Sequence, residues 1–544
     1  MRIALAQINT KIGDLAGNTE KIIDAIAKSR SKQAALVVFP ELSLIGYPPE
    51  DLLESDALEH LQDRFLEEIL PHCMGCDVIL GGIVRNKEVT GKKYFNAAFF
   101  LSGGKIKQIV HKTLLPSYDV FAETRYFEPS HTFECIFSNQ RKIAITICED
   151  IWDEVAPFPY AISPLDKLAK QEPDLIINIS ASPFGIEKQA QREQVLRGKC
   201  LKHKIPAVYV NQVGGQTELL FDGASMVMNS AGKVVTKLPA FAESICIVNF
   251  ADGKIKLTKR KEKELPLYGL ISKALQVGVK DYFHKNGFKT AVLGSSGGID
   301  SAVVQVIASQ ALGPENVTAL LMPSAYSSEA SVLDAKKLSE TLGNPYHIVP
   351  IQSVTDSFFE TMKGVYGETA FDLTEENIQS RSRGVIAMAF SNKKGCLLLN
   401  TSNKSELAVG YGTLYGDMSG ALSVIGDLYK THVYGLAHYL NETEELIPNT
   451  ILIKEPSAEL RPDQKDSDSL PPYALLDKML YAMIEEGKSS FQLLSEGFDE
   501  ALILRIKKLV QTSEYKRFQA PPVLKLTTKS FGKGRLIPLT AKYV

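Results

Sequence analysis

At 544 residues the chain is too long for a single hydrophobic core, and domains of roughly 100 to 200 residues predict at least two large units. Apolar residues at 44%, charged residues at 23% and a formal net charge of −2 match an ordinary soluble enzyme and exclude a bulk electrostatic pull toward nucleic acid or an anionic membrane. The sequence has no run of about 18 apolar residues and no basic-then-apolar leader, and its seven scattered cysteines read as reduced thiols, so a cytoplasmic chain without a disulfide framework is expected.

From residue 1 to about 250, short β-rich runs (RIALAQI, ALVVFPE, CDVILGGIV, KIAITICED, PDLIINIS, AVYVNQVG) alternate with helical stretches such as NTEKIIDAIAKSRSK and KQAQREQVLRGKCLKHK. That alternation predicts a layered α/β unit. Cys73 and Cys76 have metal-like spacing, but no second CxxC or HxxxH pair follows, and both read as core or surface thiols. Residues 251–265, ADGKIKLTKRKEKEL, form a lysine-rich run with little to bury and are expected to be a solvated linker rather than a basic ligand site. From 266 to 544 a second alternation begins: helix ISKALQVGVKDYFHKNG, strand TAVLG, a glycine turn, helix DSAVVQVIASQALG, strand VTALLMP. This is a βαβ unit of a parallel sheet. The Asp-, Ser- and Pro-rich stretch 461–473 reads as a long loop.

The most specific signal is LGSSGGIDS, residues 293–301, between an apolar strand and an amphipathic helix. Glycines let backbone N–H groups approach a phosphate, the helix N-terminus adds its dipole, and Ser295, Ser296 and Ser301 add hydroxyls. The loop lacks the lysine of a GxxxxGK[ST] motif and the spacing of GxGxxG. It resembles the pyrophosphate loop of the ATP-pyrophosphatase family, whose members cleave ATP between the α and β phosphates and adenylate a substrate. Asp300 has no use beside a polyphosphate unless a cation stands between them, and Mg²⁺ is the natural mediator. Glu406 is a second hard oxygen donor. Taken alone, Glu406 reads as a helix-surface residue, and the resemblance reverses that weighting.

MPSAYSS (322–328), ENIQSRSRG (376–384), TSNKSELAVGYGTLYGD (401–417), GDLYKTHVY (426–434) and EYKRFQAPPVLKLTTKSFGKGR (514–535) are similar to segments of the NAD synthetase family. Carried over position by position, the resemblance implies ATP at Gly294, Ser295, Ser296, Gly297, Gly298, Ile299, Asp300, Ser301 and Thr401. It implies deamido-NAD at Asn377, Glu406, Tyr411, Gly412, Thr413, Leu414 and Lys516, and a metal at Asp300 and Glu406. Arg381, Arg383, Lys404, Lys430 and Lys516 are further cationic donors suited to a dinucleotide. Ala325 stands where some relatives carry a larger polar residue.

In the first unit, FPELSLIGYPPEDLL (39–53), HKTLLPSYDVFAETRYF (111–127) and AITICEDIWDE (144–154) resemble the carbon–nitrogen hydrolase, or nitrilase, family. Its catalytic Glu, Lys and Cys map to Glu41, Lys112 and Cys148, and the resemblance points to Tyr118, Ser182 and Lys188 for glutamine. The chemistry suits these types. An amide is a poor electrophile, a free thiol with a pKa of about 8.5 needs a base or a nearby cation, and an ammonium stabilises both thiolate and oxyanion.

The expected fold class is therefore α/β: an N-terminal nitrilase-like α/β/β/α sandwich, and a C-terminal doubly wound parallel sheet of the ATP-pyrophosphatase, adenine-nucleotide-α-hydrolase type. The two motif sets imply one reaction. ATP adenylates deamido-NAD with Mg²⁺ as cofactor, and ammonia from glutamine, passed along a sheltered route, displaces AMP to leave NAD. The resemblance also implies a homo-oligomer, dimeric or higher. Two other readings stay open at this point: an amidotransferase of the same logic on another acceptor, and a nitrilase-type amidase with a nucleotide-sensing C-terminal module.

Overall fold

A computed structural model of the chain describes residues 1–154, 159–251, 253–257, 264–367, 370–462 and 464–542. The chain divides into two compact units, Met1–Glu264 and Leu265–Val544.

The first unit is built on two sheets. One runs, edge to edge, Lys254–Leu257, Ser244–Ala251, Arg2–Gln7, Leu36–Val38, Asp77–Arg85, Tyr94–Ser102 and Lys105–His111. The other runs Val234–Lys237, Met226–Met228, Ala207–Asn211, Leu175–Ser180, Arg141–Ile147 and Ile136–Ser138. In each sheet three central strands are parallel and the flanking strands antiparallel. Because strand side chains alternate between faces, each strand serves two layers. Ile3, Leu5, Ile79, Ile145, Ile177 and Val208 fill the space between the sheets. Ala4, Ala6, Val37 and Val78 point the other way, against helices Leu15–Ser31 and Asp56–Ile69. Ala144, Ile176 and Tyr209 do the same on the second sheet, against helices Pro164–Ala169 and Lys188–His203. The result is an α/β/β/α sandwich.

The stretch expected to be a linker from residue 251 is only partly one. Lys254–Leu257 is an edge strand paired with Ser244–Ala251, because Ile255 in the alternating KIKL run is buried in the inter-sheet core. Residues 258–263, the rest of the lysine run, lie outside the described residues.

The second unit carries a five-stranded, all-parallel sheet in the order Tyr346–Ile348, Val317–Leu321, Ala291–Gly294, Leu397–Asn400 and Leu422–Ser423. Chain order reverses between Ala291–Gly294 and Leu397–Asn400, so the sheet is doubly wound and its switch point lies at the C-terminal end of the strand that opens the LGSSGGIDS loop. Crevices at such points are where open α/β sheets take ligands. A second apolar cluster packs Leu407–Val409 against helices Tyr473–Ile484 and Glu500–Thr512. The 461–473 stretch is not a plain loop: it contains a 3₁₀ turn at Asp466–Asp468, and Asp466 is buried with its carboxylate 2.8 Å from the Tyr473 hydroxyl. Among the described residues no helix is long and apolar enough to cross a membrane, and all seven cysteines are free thiols.

Candidate active sites

Glu41, Lys112 and Cys148 each lie at or just past the end of a sheet strand: Leu36–Val38, Lys105–His111 and Arg141–Ile147. The fold brings these three ends together. Lys112 Nζ lies 2.7 Å from Glu41 Oε1, and neither side chain is exposed to solvent. Asn96 Nδ2 donates to the same Glu41 oxygen at 2.7 Å, and the Ala181 N–H donates to Oε2 at 2.9 Å. Three donors therefore hold the Glu41 carboxylate in place. The loop carrying it rests directly on Gly81: a Cβ there would sit 2.3 Å from the Leu42 nitrogen and 2.6 Å from the Pro40 oxygen.

Cys148 has φ +41°, a left-handed conformation that non-glycine residues rarely adopt, and it opens the 3₁₀ turn Cys148–Ile151. The sharp turn lifts the thiol out of the strand line. Burial pushes the thiol pKa up, and the Glu41 charge adds to this while Lys112 opposes it. Burial alone would lower Lys112, but Glu123 and Glu41 outweigh it and keep the ammonium well above the usual lysine range.

Two residues missed by sequence reasoning complete this site. Glu123 lies 2.8 Å from Lys112 and accepts from the Tyr47 hydroxyl at 2.9 Å. Burial, partly offset by Lys112, brings its carboxyl up to about 7. Asp150, the third letter of CED, accepts from the N–H groups of Thr113 (3.0 Å), Leu114 (2.8 Å) and Ile147 (3.0 Å). It ties the backbone just after Lys112 to the backbone just before Cys148. An acidic residue two positions after the cysteine was the only available signal, and a lone acid is uninformative without the loop it meets.

Beside the thiol, Tyr118 and Tyr160 both donate to Glu149 Oε1, at 2.9 and 3.1 Å. Lys188 Nζ stands 4.1 Å from the Trp152 ring centroid, and burial lowers its pKa. Ser182 is buried, with its N–H donating to Asn211 Oδ1 at 2.8 Å. Lys188 and Glu149, each close enough for its charge to act on the other, thus place a cation and an anion beside the nucleophile.

The second unit contains a cleft of about 300 Å³ lined by Gly294, Ser295, Ser296, Gly298, Ile299, Asp300, Ser301 and Thr401. Of the residues expected at ATP, Gly297 alone is not on the wall; it has φ +75°, and a Cβ would lie 2.2 Å from the Ser331 carbonyl oxygen. The turn can therefore close only with glycine. Helix Ile299–Leu312 begins at Gly298 without a side-chain cap, leaving its N-terminal N–H groups facing the loop. Not all the serine hydroxyls face a ligand: Ser295 donates to Gln305 at 2.9 Å, and Ser301 to the Gly298 carbonyl at 3.0 Å.

Asp300 and Glu406 converge on one cation, the Lys430 ammonium, which pairs with Asp300 and lies 3.5 Å from Glu406. Asn403 links the two acids, donating to Asp300 at 2.9 Å and accepting from the Glu406 N–H at 3.0 Å. Burial, then the Asp300 charge, pushes the Glu406 carboxyl up to about 8.

Of the residues expected at deamido-NAD, Glu406 and Tyr411 line the cleft. The others form an adjoining group. Thr413 donates to Asn377 at 2.8 Å, while Lys516 Nζ donates to the carbonyls of Gly410 and Gly412 at 2.8 and 2.7 Å. Arg383 lines the cleft, and Arg381 donates to the Leu414 carbonyl at 3.2 Å. Lys404, expected among the ligand-facing cations, is elsewhere. Fully buried, it is held by Asp427 at 2.8 Å, by Glu485, by Thr527 at 2.6 Å and by the Lys529 carbonyl at 2.9 Å. Its position next to the Asn403 helix cap turns it inward, where it anchors the C-terminal segment.

Fold and sequence matches together define the class, a carbon–nitrogen hydrolase unit and an NAD synthase unit carried in one chain: residues 2–260 match the carbon-nitrogen hydrolase family and residues 271–520 the NAD synthase family. The chain is 42% identical to the glutamine-dependent NAD(+) synthetase of Synechocystis sp. across 99% of both chains, and 39% identical to that of Thermotoga maritima across 100% of this chain and 99% of the relative. The solved structure of the Acinetobacter baumannii glutamine-dependent NAD+ synthetase in complex with ADP superposes with a TM-score of 0.80 at 35% identity, covering 99% of this chain and 98% of that one. The chain belongs to the glutamine-dependent NAD(+) synthetase family.

Proposed function

We propose that the chain makes NAD from deamido-NAD, ATP and glutamine, and acts as a glutamine-hydrolysing NAD synthase. The observation that carries this reading is the pairing, in one family-assigned chain, of a buried Glu41–Lys112 pair beside the Cys148 thiol with a glycine–serine cleft flanked by two acids.

In the first unit Cys148 is the nucleophile. Glu41 takes the thiol proton as sulfur attacks the glutamine amide carbon. The Lys112 ammonium faces the oxyanion, and one removed oxyanion donor typically costs on the order of 10²- to 10³-fold in rate. Collapse expels ammonia and leaves a thioester, which water hydrolyses to glutamate. Glu123 is a second carboxylate that holds Lys112, at 2.8 Å. Tyr118, Ser182 and Lys188 line the glutamine site, with Lys188 suited to the α-carboxylate and Glu149 to the α-ammonium.

In the second unit the 294–301 loop and Thr401 hold ATP, and Asn377, Glu406, Tyr411 to Leu414 and Lys516 hold deamido-NAD. The nicotinate carboxylate attacks the α-phosphorus, pyrophosphate leaves, and ammonia then displaces AMP at the acyl carbon to give the carboxamide. Asp300 and Glu406 fit Mg²⁺: they are two hard oxygen donors already aimed at one positive charge. They would hold the ion, which neutralises polyphosphate charge when bound. The free thiols fit a cytoplasmic setting, and the homo-oligomer rests on the family resemblance.

The test is to incubate the purified chain with deamido-NAD, ATP, Mg²⁺ and glutamine while measuring NAD, AMP, pyrophosphate and glutamate, and to repeat with Cys148→Ala. NAD and AMP in equal amounts, with the variant working on ammonium alone, supports the reading. Glutamate without NAD or AMP overturns the acceptor.

A further inference from the structure

Lys430 is the first residue of helix Lys430–Leu440, and its side chain is 3% exposed. Its ammonium sits between Asp300 and Glu406 and over the Tyr473 ring at 5.2 Å. The two acids that would ligate a divalent ion therefore already share one internal cation. A metal ion entering the free protein has to displace that ammonium, and a buried ammonium stripped of its partners carries a desolvation cost. A polyphosphate offers the ammonium new partners, since Lys430 lines the same cleft as the 294–301 loop.

We propose that Lys430 is a built-in counter-cation that closes the divalent-metal site of the free protein and yields it only when a polyphosphate arrives, so that metal and nucleotide enter as a coupled pair. The proposal rests on the reading of Asp300 and Glu406 as metal ligands. By linkage, whatever factor the nucleotide adds to metal affinity, the metal adds to nucleotide affinity.

The experiment is Mn²⁺ binding to the full chain, read by electron paramagnetic resonance without nucleotide and with α,β-methylene-ATP. Without nucleotide, Lys430→Met is expected to bind Mn²⁺ at least about tenfold more tightly than wild type, because a competing unit charge has gone from the site. Lys430→Arg, which keeps the charge, is expected to stay as weak as wild type. Equal affinities in all three overturn the proposal. The wild-type chain also decides alone: Mn²⁺ bound as tightly without the analogue as with it overturns the proposal, and tightening beyond what the analogue's own chelation of Mn²⁺ in protein-free buffer accounts for supports it. Asp300→Asn separates the underlying reading. If the analogue-dependent Mn²⁺ signal survives that change intact, the ligand assignment is wrong; if it disappears while Lys430→Met leaves free-protein affinity unaltered, only the counter-cation is wrong.

Discussion

Replacing Asp150 with Asn tests whether this carboxylate sets the distance between Lys112 and Cys148. Its Oδ1 accepts two N–H groups, from Thr113 and Leu114, and its Oδ2 accepts a third from Ile147. An amide of the same shape has one acceptor oxygen. Whichever way it is placed, at least one buried N–H faces an NH₂ group, at a cost of about 1–3 kcal/mol. The strained Cys148 turn is held on one side by this contact, so part of that cost is expected to be relieved by displacement of the nucleophile. A misplacement of about 1 Å costs on the order of 10²-fold in rate. Asp150→Asn should therefore lower glutamine-dependent NAD formation by about 10- to 100-fold and shift the unfolding of the first unit downward. Ammonium-dependent NAD formation, a property of the second unit, should stay at the wild-type level. Glutaminase kcat/KM and thermal unfolding measured on the same preparation check this. A variant with wild-type kcat/KM for glutamine and unchanged unfolding would refute the positioning argument.

Three further outcomes are expected. Glu123 has a carboxyl raised by burial from its ordinary value of 4.5 to about 7, so between those values the folded chain binds more protons than the unfolded one and stability falls as pH rises. Glu123→Gln should remove that slope, worth at most about 3 kcal/mol, as read from urea unfolding at pH 4.5 and 7.5. Gly297→Ala places a Cβ 2.2 Å from the Ser331 carbonyl oxygen at φ +75° and should abolish AMP formation with either nitrogen donor while glutamate release persists; full synthetase activity would show that the loop tolerates opening. Lys404→Met leaves Asp427 and Glu485 buried without their cation and should destabilise the second unit by about 3–5 kcal/mol in denaturant unfolding, whereas a loss of nucleotide affinity at unchanged stability would return Lys404 to the ligand site.

Local signals made much of this molecule legible in the sequence. Short apolar runs marked RIALAQI and PDLIINIS, strands buried on both faces, and period-3.6 patterning marked the 188–203 helix, which is buried on one face. The LGSSGGIDS loop could be read because a glycine turn between strand and helix has few other uses, and Gly297 requires glycine for a backbone reason that neighbouring letters already suggest. Glu41, Lys112 and Cys148 stood out through motif resemblance, and each lies at or just past the end of a strand.

What only the tertiary structure decided concerns partners distant in the chain. Nothing near Lys404 reveals Asp427, Glu485 and Thr527, so a lysine that read as a ligand cation proved to be a buried anchor. The strand Lys254–Leu257 is hidden inside a charged run because an edge strand needs only one inward residue, Ile255, to join a sheet. Asp150 and Glu123 look like ordinary surface acids until the fold supplies three N–H groups to one and a buried ammonium to the other. The sequence by itself determined the backbone periodicities and the chemical types at the loop and triad. Charge pairing in the interior was decided by the fold, since a Coulomb contact depends on separation in space and leaves no fixed spacing along the chain.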